Sequence, residues 1–169
     1  MMKCLLQKPW FLSGLVNALV AAVAVTGTLT WATSAWADGR LMPSQVLPIY
    51  KQECAACHMA YPPGMLPAAS WQRIMSGLER HYGTDASLEP AQVKQISVWL
   101  KSNAGTYKRV HEEPPEDRIT RSAWFARKHR EVEAAVWKRA SIKSAAQCAA
   151  CHTQAEQGNF DEHQVRIPR

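Results

Sequence analysis

The chain has 169 residues, with 20 Lys and Arg against 14 Asp and Glu and a formal net charge of +6. That length allows one compact domain or two very small ones. The positive charge is spread out, with no dense basic run, which argues against nucleic acid as a partner.

Lys3 and Lys8 are the only charges before Asp38. Between them and Asp38 run FLSGLVNALVAAVAVTGTL and WATSAWADG, and Ala35-Trp36-Ala37 forms a small-x-small cleavage site. This is the layout of a secretory signal peptide over residues 1–37. An uncleaved membrane anchor is the rival, but the apolar run only just reaches spanning length. Asn17 and several Ser and Thr weaken it further. Cleavage removes Cys4 and leaves Cys54, Cys57, Cys148 and Cys151. An exported chain meets an oxidising compartment, where thiols become disulfides unless something else claims them.

After Asp38, Leu41, Val46, Leu47 and Ile49 with Tyr50 form an amphipathic start that leads to Cys54. Tyr61-Pro62-Pro63-Gly64 is a breaker. Ser70 is placed to cap a helix over residues 71–82, WQRIMSGLERHY, stopped by Gly83. Trp71, Ile74, Met75, Leu78 and Tyr82 make its apolar stripe. Pro90 starts a second helix, with Val93, Ile96, Trp99 and Leu100 on one side and Asn103-Ala104-Gly105 at its end. Residues 106–121, TYKRVHEEPPEDRITR, are charged, carry two prolines and show no period, so they read as a linker. Ser122 caps a helix over residues 123–140 with Phe125, Val132 and Val136 buried, and Ser144 caps a short helix entering the last cysteine pair. The tail, QAEQGNFDEHQVRIPR, is polar and irregular. No strand pattern appears. The expected fold is mostly α: a first half over residues 38–105, the linker, and a second half over residues 122–169. Trp71, Trp99, Trp124 and Trp137 are expected in the core.

The cysteines fall in a repeated word, ECAACH at residues 53–58 and QCAACH at residues 147–152. Two sulfurs with two residues between them can bond both vinyl groups of one haem, and the histidine that follows is placed under the iron. Cys-x-x-Cys-His is the attachment signature of haem c, and histidine is a common haem-iron ligand. A zinc ribbon spaces its two cysteine pairs about 15–20 residues apart, whereas here Cys57 and Cys148 delimit a far longer interval. A thioredoxin-like switch needs a βαβ context. The expectation is two covalently bound haem c groups, held by Cys54, Cys57 and His58 and by Cys148, Cys151 and His152. The haem-free chain should then pack poorly, because a core this small needs the macrocycles to complete it.

An iron held by one histidine keeps an open position for gas or peroxide chemistry unless a second His or Met closes it. His81 and His129 lie on apolar helix stripes, one in each half, and are the expected sixth ligands. His111 in the linker and His163 in the tail are expected in solvent. Met65 is an alternative ligand and would raise the reduction potential. Locality pairs His58 with His81 and His152 with His129.

With ECAACHMAYPPGMLPAASWQ, GLERHYG, LEPAQVKQISVWL, RITRSAWFARKHREV and SIKSAAQCAACHTQAEQGNF in view, the chain resembles the small bacterial dihaem cytochromes c over about residues 47–168. The resemblance implies a periplasmic electron-transfer protein, not an enzyme, with both haems bis-histidine ligated through His58, His81, His129 and His152. It also implies redox partners: an oxygen-binding monohaem cytochrome of the sphaeroides haem protein type and a membrane b-type cytochrome. The alternative is a dihaem enzyme or gas-binding protein with one open iron site. Arg121, Arg127, Lys128, Arg130, Lys138, Arg139 and Lys143 outnumber Glu131 and Glu133. They form either a solvated helix face or a basic docking surface that steers an acidic partner.

Overall fold

The computed structural model describes residues 41–169. The expected signal segment, residues 1–37, and its expected cleavage site lie outside the described residues. No strand is present among the described residues, only an isolated bridge between His81 and Thr84. None of their helices is long and apolar enough to cross a membrane.

Helix α1, Pro48–Cys54, begins with a proline at its first turn, where the missing N–H costs no bond. Its Tyr50 is buried, and the phenol donates to the Tyr61 carbonyl at 2.5 Å. The proline breaker is itself buried: Pro62 to Leu66 sit inside, with a 3-10 turn over Pro63–Met65. Trp71 Nε1 donates to the Pro63 carbonyl at 2.8 Å, which locks this turn to α2, Ala68–Ser76. Helix α3, Pro90–Asn103, opens with a capping box between Glu89 and Gln92 and buries Ile96 and Leu100. Helices α2 and α3 pack together, and the core is Tyr50, Leu66, Trp71, Met75, Ile96 and Leu100. Trp71 lies in this core as expected, while Trp99, Trp124 and Trp137 are half-buried.

The expected helix over residues 71–82 starts earlier and stops sooner. Ser70 lies inside α2, fully buried, and does not cap it. Gly77 ends the helix, as the least favourable non-proline residue for a helix interior does. A 3-10 turn over Leu78–Arg80 follows, and then Tyr82 and Gly83 both take positive φ, 52° and 97°. His81 therefore stands on a tight turn, not on a helix face.

The segment expected as a linker is folded against α2. Val110 is buried, and 3-10 turns span Pro115–Asp117 and Ile119–Arg121. At the start of this segment a Cβ on Gly105 would come within 2.7 Å of the Gly64 carbonyl oxygen, so only glycine fits.

Ser122 does cap the next helix, its hydroxyl accepting from the Phe125 N–H at 3.1 Å. The single helix expected over residues 123–140 is two short ones, α4 at Ala123–Lys128 and α5 at Ala134–Trp137. Helices this short have little stability of their own, and only Phe125 of the expected stripe is fully buried. Ser144 caps no helix. Lys143 turns left-handed, and the second motif holds only a 3-10 turn over Cys148–Ala150.

Candidate haem sites

Cys54 is the last residue of α1, and the chain leaves the helix there, so Cys57 and His58 lie in the turn beyond. His58 Nδ1 lies 2.7 Å from the Met59 carbonyl oxygen. As the donor of that bond it leaves Nε2 as the bare, metal-binding nitrogen. The His81 ring stands 6.1 Å from that of His58, centroid to centroid, with the planes 24° apart.

The second motif repeats this arrangement with a different local frame. Cys148 opens its 3-10 turn, Cys151 closes it, and the His152 N–H donates to the Cys148 carbonyl at 2.8 Å. The His129 ring stands 6.1 Å from that of His152, with the planes 81° apart. His129 Nδ1 pairs with the Phe125 carbonyl at 3.0 Å, and the Phe125 ring lies 4.0 Å from the imidazole. His152 Nδ1 is buried without a hydrogen-bond partner.

The fit to haem can be judged from these distances. An imidazole nitrogen binds a transition metal at about 2 Å. Two imidazoles on opposite sides of one iron therefore have centroids about 6 Å apart, the separation found in both pairs. Burial first, then His58 and Arg118, hold the His81 pKa below the ordinary imidazole value. Burial and then His129 do the same for His152. Both shifts favour the neutral imidazole, the form that binds a metal.

The rival uses of the cysteines fit less well. No disulfide joins Cys54, Cys57, Cys148 or Cys151. Among the described residues no three His, Cys, Asp or Glu side chains converge as a metal cage. Burial, with Glu53 adding to it, pushes the Cys54 thiol up to about 11. Burial likewise pushes Cys148 up to about 11. A thiol that serves disulfide exchange is activated the other way, by a lowered pKa.

His111 and His163 are exposed and belong to neither pair, and His111 is engaged with the Lys108 carbonyl and Glu112. Met65 is buried in the 3-10 turn after the prolines. Periodicity did not reveal the aromatic and charged neighbours of the two pairs. Tyr61 lies against His58 at 4.8 Å, and its hydroxyl donates to the Ala146 carbonyl at 2.8 Å, two residues before Cys148. Tyr82 sets its ring edge on His81 at 4.9 Å. Trp137 lies 5.7 Å from His129, and Phe160 lies 5.3 Å from His152. For Tyr82, its place directly after His81 was the one available signal.

Two tethering motifs, each with a second imidazole at metal-bridging distance, define a dihaem c-type cytochrome. The comparisons agree. The family described as dihaem cytochrome c matches residues 50–160, and the chain belongs to that family. It is similar to the diheme cytochrome c from Rhodobacter sphaeroides, at 41% identity and a TM-score of 0.62 over 71% of this chain and 99% of that one. It is also similar to a diheme cytochrome type c from Shewanella baltica OS155, at 38% identity and a TM-score of 0.64 over 72% of this chain and 92% of that one. No curated protein matches the chain. The protein thus takes two haem c groups, at Cys54 with Cys57 and at Cys148 with Cys151, and is a haem-based electron carrier.

Proposed function

We propose that the protein is a one-electron carrier whose two irons are both six-coordinate, the first between His58 and His81 and the second between His152 and His129. The observation that supports this most is the 6.1 Å separation within each imidazole pair. The haems supply a reversible one-electron iron couple. The protein's part is to hold four imidazoles in place and to close the sixth positions, so no bond chemistry on a substrate is expected.

The amino-terminal layout supports export to the periplasm with removal of residues 1–37. Arg127, Lys128, Arg130, Lys138, Arg139 and Lys143 are all exposed around the second half. They support electrostatic steering of an acidic redox protein. An oxygen-binding monohaem cytochrome of the sphaeroides haem protein type and a membrane b-type cytochrome are the proposed partners.

Carbon monoxide tests the coordination. The reduced native protein should stay low spin and form no adduct on mixing. His81→Ala should open the first haem alone, and His129→Ala the second alone. An adduct formed at once by the native protein would establish the alternative, a gas-binding protein or enzyme with one open iron.

A further inference from the structure

We infer that the surface turn over residues 113–118 is a clamp that positions His81, so that an ion-paired turn far along the chain sets how firmly the first iron keeps its sixth ligand. This rests on the bis-histidine reading of the first site.

His81 and His129 are held in different ways. His129 is oriented from its own helix end, by the Phe125 carbonyl at Nδ1 and the Phe125 ring against its face. His81 sits on a turn whose next residue, Tyr82, has φ of 52°. Two residues of the opposing turn, Glu116 and Asp117, are also left-handed, at 55° and 54°. Non-glycine residues persist in that region only where their surroundings over-determine them, and such sites cluster at ligand clamps.

The contacts that do so form a connected path. The Tyr82 ring meets the His81 imidazole edge-on at 4.9 Å. The Tyr82 hydroxyl reaches the carbonyls of both Glu116 and Asp117 at 3.1 Å. The Arg118 guanidinium lies over the Tyr82 ring at 4.2 Å. Asp117 in turn is gripped by Arg73, through Nε at 2.9 Å and Nη2 at 2.7 Å, and Arg73 also holds Glu113 at 2.6 Å. Arg73 belongs to α2, whose Trp71 and Met75 are in the core. The path therefore runs from the rigid core through Arg73, the strained turn and Tyr82 to the imidazole. Breaking it lets the 81–83 turn relax away from its strained backbone and carries His81 with it.

Tyr82 and Asp117 are positioning residues, and the test reads ligand exchange. In the reduced holoprotein, carbon monoxide can displace His81 only as fast as the imidazole leaves. Tyr82→Phe keeps the ring and the Arg118 contact and removes one hydroxyl, and Asp117→Asn removes the charge that Arg73 grips. Each should speed slow carbon monoxide uptake at the first haem by roughly three- to tenfold, the scale of one lost solvent-exposed hydrogen bond. The second haem should be unchanged. Because the Arg73 side chain is 50% exposed, added salt should loosen the clamp in the native protein and have less effect in Asp117→Asn. His81→Ala identifies the first-haem phase. If His81→Ala is fast while both variants match the native rate, the clamp is overturned and the coordination stands. If both haems quicken equally, the effect is general loosening and the clamp is likewise overturned. If the native protein is already as fast as His81→Ala, the bis-histidine reading itself falls.

Discussion

At the scale of single residues, the two imidazole pairs share a separation but not an orientation. The planes lie 24° apart in one and 81° apart in the other. Near-parallel axial imidazoles raise one of the iron's two π-type d orbitals above the other, whereas crossed imidazoles raise both alike. With both pairs on their irons, the oxidised protein should show two different low-spin electron paramagnetic resonance signals. One should be rhombic, and the other should be dominated by a single large g value. Two identical rhombic signals would contradict the crossed pair. Tyr61 makes a second residue-scale case, because its hydroxyl ties the first site to the chain before Cys148. Burial, then Cys148, push that phenol up to about 12, so it remains a donor throughout the ordinary pH range. Tyr61→Phe keeps the ring on His58 and loses the hydrogen bond, which should cost about 1 kcal/mol. A calorimetric melt should register this as a drop of roughly 2–4 °C, and no shift would show that the bond is replaced by water at no cost.

At the scale of elements, the turn over Pro115–Asp117 carries a pH-dependent share of stability. The Arg73 hydrogen bonds, opposed by partial burial and assisted by Ser70, hold Asp117 below its ordinary value of 3.8. A carboxylate depressed on folding stabilises the native state above its unfolded pKa and stops doing so as pH falls through its folded pKa. The native protein should therefore lose more melting temperature than Asp117→Asn as pH drops from about 5 to about 2. Parallel curves for the two proteins would mean that the ion pair is already screened in solution. Helices α4 and α5 raise a different point about elements. A three-turn apolar stripe was legible in the residues from Phe125 to Val136, yet the helix is interrupted at His129, where φ is −110°. Periodicity reports which face could be buried. It does not report whether a protein surface is there to bury it.

At the scale of the whole molecule, burial is uneven. The main core cluster runs from Tyr50 to Leu100. Beyond Ser122 the buried apolar residues among those described are Phe125, Ile142 and Ala155. A haem against His152 and His129 would supply apolar surface that this part of the chain lacks. Replacing Cys148 and Cys151 by Ser removes the second tether. Hydrogen exchange should then leave the amides of α2 and α3 protected while those of residues 123–160 exchange far faster. Equal protection in both regions would show that the second half folds without its haem.

The sequence by itself determined the chemistry of this protein. Residues 54–58 and again 148–152 each spell a haem c attachment motif in five consecutive residues, because the two tethers to one flat macrocycle must be near neighbours in the chain. It also nominated His81 and His129, each from an apolar stripe, although His81 turned out to stand on a left-handed turn and not on the helix that suggested it. The tertiary structure alone decided how those two imidazoles are held. The grip of Arg73 on Asp117 and the reach of Tyr82 to Glu116 join residues 44 and 34 positions apart. Hydrogen bonds and ion pairs over such separations leave no period in the sequence, and a charged, proline-containing stretch reads as a linker until the partner that orders it is in place.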